Sequence, residues 1–391
     1  MKKRALFVID SLSCGGAEKS LLSLLPLLDY SKLDVDLLIF RRGGVFEKFL
    51  PHQVNVISHN LYGSSLWDRL LWFVHQLVFS IRLRFGKKRH GAEIHWRSMG
   101  RIVKKLHNNY DVAVAYQQGM PTFFVATKVD ASHKISWINA DIFMAGYDMS
   151  YCKQFYDKMD TVNAVSQKLY DMLSTRAPWM SSKLTCIYDI INPEVISHLA
   201  KEQISDMPSS GQGQVQIVTV GRLTKPKNYV LAVKAAAILM EKGLDFKWFF
   251  VGEGEMRSII EERISVLGLE QNVFLLGLKE NPYPYMAKAD IYVQTSSFEG
   301  FGMTIAEAKL LHRPVVSTNF DVVHDQIKDC HNGLIAEMTP NSVAEKILEL
   351  YQDESLYRTI VSNLQRETNT TTISEPEKFM QLVDSLTSEF R

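Results

Sequence analysis

Short strand-like runs alternate with helix-period runs along almost the whole chain, and the alternation stops once and then starts again. The first series has strands at Ala5–Asp10, Asp34–Phe40, Asp111–Tyr116, Ile135–Asn139, Val162–Val165 and Leu184–Tyr188, with a first helix over Ala17–Leu28. It lapses at Ile204–Gln214, ISDMPSSGQGQ, a polar Gly/Ser/Pro stretch that reads as a linker. The second series opens with a strand at Gln216–Val220 and a helix over Asn228–Lys242. Strands follow at Phe246–Val251, Val273–Leu276, Ile291–Thr295 and Pro314–Thr318, with helices at Met256–Leu267 and near Met303–His312. Each series calls for a parallel sheet with helices on both faces. A chain of 391 residues also exceeds one ordinary core. The expected architecture is α/β, with a Rossmann-like lobe over 1–200, a linker over 201–214 and a second Rossmann-like lobe over 215–370. The tail, 371–391, carries Phe379, Leu382, Val383 and Leu386 at i, i+3, i+4 and i+7, an amphipathic helix expected to pack back on the first lobe.

Charge narrows the partners. Lys+Arg number 44 against 43 Asp+Glu, so the chain as a whole has no nucleic-acid footprint. One region departs from this balance. Leu66–Leu106 holds ten basic residues (Arg69, Arg82, Arg84, Lys87, Lys88, Arg89, Arg97, Arg101, Lys104 and Lys105) against Asp68 and Glu93. Within it, LLWFVHQLVFSIRLRF is too short and too interrupted to span a bilayer, and it reads as a surface helix followed by a basic loop. Such a segment either packs its apolar face on the lobe or lies on an anionic membrane surface, the reading favoured here. Cys14, Cys152, Cys186 and Cys330 form no C-x-x-C pair and read as buried free thiols of a reducing compartment, which points to the cytoplasm. The N-terminal apolar run Ala5–Ile9 is too short for a signal-peptide core and reads as the first strand.

Three loops at the carboxyl ends of strands carry the chemistry. Gly15 and Gly16 sit at the first strand–helix turn, where free backbone N–H groups and a helix N-terminus suit an anion, although a plain tight turn also explains them. In the second series, GRLTKPKN places Arg222, Lys225 and Lys227 in one loop before a helix. They form either a solvated basic loop or a cradle for a polyanion such as a diphosphate. In TSSFEGFGMTIAEA, Glu299 lies in the loop and Glu307 eight residues later, in the second turn of the following helix. Dipole stabilisation could explain Glu299 but not Glu307, which lies beyond the first turn. A loop carboxylate can bind sugar hydroxyls, and one further into the helix can accept a ribose diol.

With these residues in place the chain resembles the retaining glycosyltransferases of family 4, which have the GT-B fold of two Rossmann-like lobes facing a cleft. The pieces that carry the resemblance are GGAE (15–18), GRLTKPKN (221–228), VGEGE (251–255), LLGLKENPYPYMAKAD (275–290), SSFEGFGMTIAEA (296–308) and NGLI (332–335), in the family's order. The resemblance implies that Gly15 and Gly16 meet a donor diphosphate through the backbone, and that Arg222 and Lys227 bind it directly. Glu299 would hold the donor sugar with the backbone of Gly300, Phe301 and Gly302, next to the helix start at Met303 and Thr304. Glu307 would hold the ribose, and Gly277 with Leu278 the base. It also implies retention of anomeric configuration without a metal or other cofactor, the nucleotide sugar being a substrate. UDP is favoured over GDP on family habit, with a glycan or lipid-linked acceptor in cell-surface polysaccharide or glycolipid synthesis. Asp34-Val35-Asp36 spells D-x-D but heads an apolar strand and reads as a strand end.

One position departs from the family. Relatives often carry a His after the strand that resembles KISWI, and here Asn139 stands there with Asp141 two residues on. Either could line the sugar pocket and alter donor choice. Other readings are a sugar-nucleotide epimerase or phosphorylase of the same fold, and a catalytically silent binding protein.

Overall fold

The computed structural model describes residues 2–13, 15–85, 89–208, 211, 213–367 and 371–388. Cys14, Lys87, Lys88 and, within the expected linker, Ser209, Ser210 and Gln212 lie outside the described residues. The chain forms two compact units, Met1–Ile190 with Ile373–Arg391, and Ile191–Thr372.

The first unit is built on a seven-stranded sheet of β1 (Lys3–Ser11), β2 (Leu33–Arg41), β3 (Val54–Ile57), β4 (Leu106–Ala115), β5 (Val129–Ile138), β6 (Thr161–Ala164) and β7 (Leu184–Cys186). Every pairing is parallel and the order is β3-β2-β1-β4-β5-β6-β7. Central strands of such sheets are covered on both faces, so they read as unbroken apolar runs; Ala5 to Ile9 of β1 are all fully buried. The D-x-D acids head β2. Asp36 accepts from Asn55 Nδ2 at 2.7 Å and from the Tyr110 hydroxyl at 2.8 Å, while Asp34 pairs with Lys2 at 3.5 Å. The helix Thr371–Ser388 belongs to this unit. Phe379 is fully buried, its ring 5.7 Å from that of Phe7 and 6.1 Å from that of Trp137. Glu375 accepts the Tyr188 backbone N–H at 2.8 Å.

The second unit repeats the pattern with six strands: β8 (Val215–Val220), β9 (Phe246–Val251), β10 (Val273–Gly277), β11 (Ile291–Gln294), β12 (Val315–Thr318) and β13 (Leu334–Ala336). The order is β10-β9-β8-β11-β12-β13, again all parallel. In both sheets the strand order reverses direction beside the first strand, and ligands of open α/β sheets bind outside the strands' carboxyl ends at that switch point. Here it lies between β8 and β11, the two strands whose following loops carry GRLTKPKN and SSFEG.

Several sequence expectations are adjusted by this geometry. Residues 193–199 form a helix, Pro193–Leu199, in the second unit, against the helices Tyr283–Lys288 and Met303–Leu310. The described part of the polar stretch after it is pinned to the same unit. Asp206 is ion-paired with Lys279 and accepts from the Tyr285 hydroxyl at 2.5 Å. The basic loop expected after the helix Leu66–Phe85 is largely a second helix, Gly91–Met99. Of the described cysteines only Cys152 is buried; Cys186 is half-buried and Cys330 exposed. The strands β3 and β13, of four and three residues, add to the expected series.

Candidate functional site

The loops after β8, β9 and β10 are joined by backbone bonds. The N–H of Gly221 donates to Val251 O at 3.0 Å, that of Leu223 to Glu253 O at 2.9 Å, and that of Gly252 to Gly277 O at 2.9 Å. This explains VGEGE better than any ligand does: a Cβ on Gly252 would stand 1.9 Å from Gly221 O, and one on Gly254 2.4 Å from Leu223 O. These glycines permit backbone to lie on backbone. The loop after β11 is fastened in turn to GRLTKPKN. Ser297 N–H donates to Pro226 O at 2.8 Å, and the Thr295 hydroxyl to Lys227 O at 3.0 Å.

This stitching brings Lys227 and Glu299, 72 residues apart, into contact, with Nζ 2.5 Å from Oε1. Two more donors converge on the same oxygen, Gln294 Nε2 at 2.7 Å and Ser296 Oγ at 2.6 Å. Gln294 is held by the Tyr292 hydroxyl at 2.6 Å and by Thr304 Oγ1 at 3.2 Å, both donating to its Oε1. Among the described residues nothing donates to Glu299 Oε2. The carboxylate is therefore fixed through one oxygen and has the other for a ligand. Gly300, Phe301, Gly302 and Met303 are buried beside it, and Gly302 precedes the helix Met303–Leu310 at φ +89°, in the left-handed region that favours glycine. Glu307, in the second turn, is 1% exposed and accepts from the Tyr283 hydroxyl at 3.1 Å. Burial, and then the Glu307 charge, push the Tyr283 phenol well above its usual range, so it remains a donor.

Arg222 and Lys225 are exposed, and among the described residues neither has an ion-pair partner. A free guanidinium fork and an ammonium at a strand's carboxyl end can take up a phosphate group. Gly277 ends β10 at φ +75°, with Leu278 exposed after it.

Gly15, Gly16, Asn139 and Asp141 belong to the first unit. Gly15 and Gly16 open the helix Gly16–Leu24, where the buried Glu18 carboxylate folds back over Gly15; a Cβ there would stand 1.8 Å from Glu18 Oε2. Asp141 Oδ1 is spent on its own turn, accepting from the N–H groups of Phe143 and Met144. Asn139 differs: its backbone N–H donates to Gln118 Oε1 at 2.9 Å, while both polar atoms of its side chain are buried with no partner among the described residues. Gln117 Oε1, Trp137 Nε1 and Asp189 Oδ1 are buried and unpartnered too. Leaving such groups unmet costs about 1–3 kcal/mol each, and ligand hydroxyls can satisfy them.

Sequence reading missed Gln294 and Ser296, although a polar Q-T-S-S run closing an apolar strand is their signal. It also missed Tyr283 and the cluster around Asp189. Ser20 shares a 3.0 Å hydrogen bond with the Tyr116 hydroxyl and accepts the Ile190 N–H at 3.1 Å. Asp189 is 3% exposed, and burial pushes its carboxyl up to about 7.

The comparisons with known proteins agree with this geometry. The family model for glycosyl transferases group 1 matches residues 200–367, the span that holds every strand of the second unit and the Lys227–Glu299 contact. Those residues form a group 1 glycosyltransferase domain, and the chain is a glycosyltransferase. This glycosyltransferase is 26% identical over 359 residues to the Campylobacter jejuni N-acetylgalactosamine-N,N'-diacetylbacillosaminyl-diphospho-undecaprenol 4-alpha-N-acetylgalactosaminyltransferase, covering 91% of this chain and 92% of that protein. A second Campylobacter jejuni protein, GalNAc-alpha-(1->4)-GalNAc-alpha-(1->3)-diNAcBac-PP-undecaprenol alpha-1,4-N-acetyl-D-galactosaminyltransferase, is 24% identical over 382 residues, covering 96% and 97%. Among solved structures, Anabaena HepE in complex with UDP and glucose superposes with a TM-score of 0.72 at 19% identity, over 98% of this chain and all of that one. That likeness shows the GT-B fold.

Two measurements check the site's physics. Lys227 and Glu299 are each less than a third exposed. A double-mutant cycle of Lys227→Met and Glu299→Gln, followed by urea unfolding, is expected to give a coupling of about 1–3 kcal/mol; additive losses contradict the pairing. Folded Asp189, with its raised pKa, holds a proton that the unfolded chain has released between about pH 4 and about pH 7. Its contribution to stability is complete below that window and is lost as pH rises through it. The thermal midpoint of the wild type is expected to fall from about pH 5 to about pH 8, and Asp189→Asn to flatten that fall. An identical pH profile in the variant contradicts the assignment.

Proposed function

We propose that this enzyme moves a sugar from a nucleoside-diphosphate sugar, UDP- in preference to GDP-, to a lipid-linked glycan or cell-surface polymer, with retention of anomeric configuration. The observation that carries the reading is the Glu299 carboxylate, fixed through Oε1 by Lys227, Gln294 and Ser296 beside a buried glycine loop and a helix start. The activities for which the two Campylobacter jejuni relatives are named, both on undecaprenol-linked diphosphate glycans, support the acceptor class. The UDP in the HepE complex supports the nucleotide.

The chemistry follows from charge. Breaking the anomeric C–O bond leaves negative charge on the diphosphate and positive charge on the sugar ring. Arg222, without an ion-pair partner among the described residues, and Lys227, shared with Glu299, take up the diphosphate charge as it grows, and such stabilisation lowers the barrier because it is stronger in the transition state. The N-terminus of the helix Met303–Leu310 adds to it. Glu299 orients sugar hydroxyls through Oε2, and Glu307 accepts the ribose diol. A diphosphate oxygen receives the acceptor's proton on the face the leaving group vacates, so no protein base is required. Gly15 and Gly16 contribute backbone N–H groups to the diphosphate, Gly277 and Leu278 border the base, and Asn139 offers its buried amide to the sugar.

The second partner is an anionic membrane surface at 66–106. In the helix Leu66–Phe85 the side chains of Trp67, Leu70, Val74, Leu77 and Ile81, spaced three and four apart, are all at least half exposed. Among the described residues no helix is long and apolar enough to cross a membrane. A stripe of this kind with flanking arginines suits the headgroup boundary.

Titration calorimetry on two variants tests the division of labour. Glu307→Ala is expected to weaken UDP binding by at least tenfold, whereas Glu299→Ala leaves UDP affinity within a few-fold and lowers transfer by about two orders of magnitude. Equal losses of UDP affinity in both variants overturn it.

A further inference from the structure

Beside the helix Leu66–Phe85 the first unit has a cavity of about 620 Å³ whose lining includes Arg82, Arg89, Arg97, Arg101 and Lys128. Five cations around one cavity repel one another unless carboxylates or a bound anion neutralise them. Two carboxylates answer two of the five. Arg97 Nε lies 2.7 Å from Glu93 Oε1 and its Nη2 3.0 Å from Asp148 Oδ2, and Arg89 Nη2 is 3.2 Å from the same Asp148 oxygen. The other three have no acid within ion-pair distance among the described residues. Among the described residues Arg82 is held by neutral acceptors, its Nη1 donating to Arg97 O at 2.7 Å and to Ser98 Oγ at 3.3 Å. Arg101 and Lys128 form no ion pair at all among the described residues. Burial, and then the charge of Lys105, lower the Lys128 ammonium from its usual value, a cost that a bound anion would reverse.

The position of the cavity indicates which anion. Arg82 belongs to the helix that exposes the apolar stripe. That helix rests on Gly91–Met99 through His75, whose Nδ1 is 2.5 Å from Ser98 O, and through Phe79, whose ring is 5.2 Å from that of His95. The apolar stripe therefore points away from the protein, with Arg82 on the packed side and the cavity next to it. A second copy of this chain would bring the same excess of cations against this face, and like charges oppose that pairing. An anionic bilayer satisfies both features.

We propose that this cavity binds the phosphate of one anionic phospholipid headgroup, with Arg82, Arg101 and Lys128 as its donors, while Trp67, Leu70, Val74, Leu77 and Ile81 enter the headgroup boundary. The inference rests on the membrane reading of 66–106 and adds a defined phosphate site to it. The guanidinium forks of Arg82 and Arg101 suit a tetrahedral phosphate, and Lys128 adds a point charge.

The test uses the full-length enzyme, vesicles of phosphatidylcholine with and without phosphatidylglycerol, and inorganic phosphate as the soluble probe. The pocket variant is Arg101→Ala with Lys128→Ala; the control, Arg69→Ala with Arg84→Ala, removes the same charge from the helix outside the cavity. Diffuse attraction alone weakens both double variants alike. The pocket predicts that Arg101→Ala/Lys128→Ala loses about tenfold more affinity for phosphatidylglycerol vesicles than the control. It also predicts that phosphate raises the thermal midpoint of the wild type and the control but not of the pocket variant. Equal losses in the two variants overturn the pocket and leave the membrane reading standing. Equal sedimentation of the wild type with neutral and anionic vesicles overturns the membrane reading. Phosphate protection without vesicle binding shows a site for free phosphate and overturns the lipid source. Unchanged thermal midpoints without ligand show that both double variants are folded.

Discussion

The contact between Lys227 and Glu299 organises the second unit's site. An ammonium and a carboxylate at 2.5 Å, neither much exposed, hold each other only where the backbone leaves no slack. Here the slack is removed by loops that bond to one another, 221–223 to 251–253, 252 to 277 and 295–297 to 226–227. The parallel sheet supplies the rest, since neighbouring strands β8 and β11 deliver both loops to the same edge. The residues that would meet a diphosphate and a sugar are thus placed before any ligand arrives, and preorganised charge of this kind is what a transferase needs when its leaving group becomes an anion.

The two units share a strand order but differ in what stands at their carboxyl edges. In the second, the polar groups around Glu299 are bonded to one another. In the first, Gln117, Trp137, Asn139 and Asp189 each keep a buried polar atom unpartnered among the described residues. A folded chain tolerates that cost where binding later removes it. The difference fits a division in which one edge is built around charge and the other is left with unmet hydrogen bonds for hydroxyl groups.

Much of this was legible in the sequence, for identifiable reasons. A strand buried on both faces is largely apolar, so β1, β8 and β9 stand out as runs. Glycines that admit backbone against backbone, Gly252 and Gly254, are visible as a motif, though their purpose is packing and not ligand binding. The spacing of Glu299 and Glu307 placed one acid in a loop and one in a second helical turn, and the structure has them there. What was not legible depends on contacts distant in sequence. Nothing local in Gln294 says that it will bridge Tyr292 and Glu299, and nothing in Asp189 says that it will be buried beside Ser20, 169 positions earlier. The polar stretch after residue 200 reads as a free linker because its partners, Lys279 and Tyr285, lie more than 70 residues away. The helix Leu66–Phe85 was placed correctly from its composition, but only the structure shows that its apolar stripe is turned outward.

The proposed reaction is group transfer with retention from a nucleoside-diphosphate sugar, carried out at the Glu299 loop. The most direct measurement is proton NMR of the wild-type enzyme incubated with α-linked UDP-N-acetylhexosamines and a polyprenyl-diphosphate-linked glycan, following the anomeric signals of donor and product. Retaining transfer predicts that UDP appears in step with a new α-glycosidic signal on the acceptor. A β-linked product, or turnover that releases no nucleoside diphosphate, would contradict it.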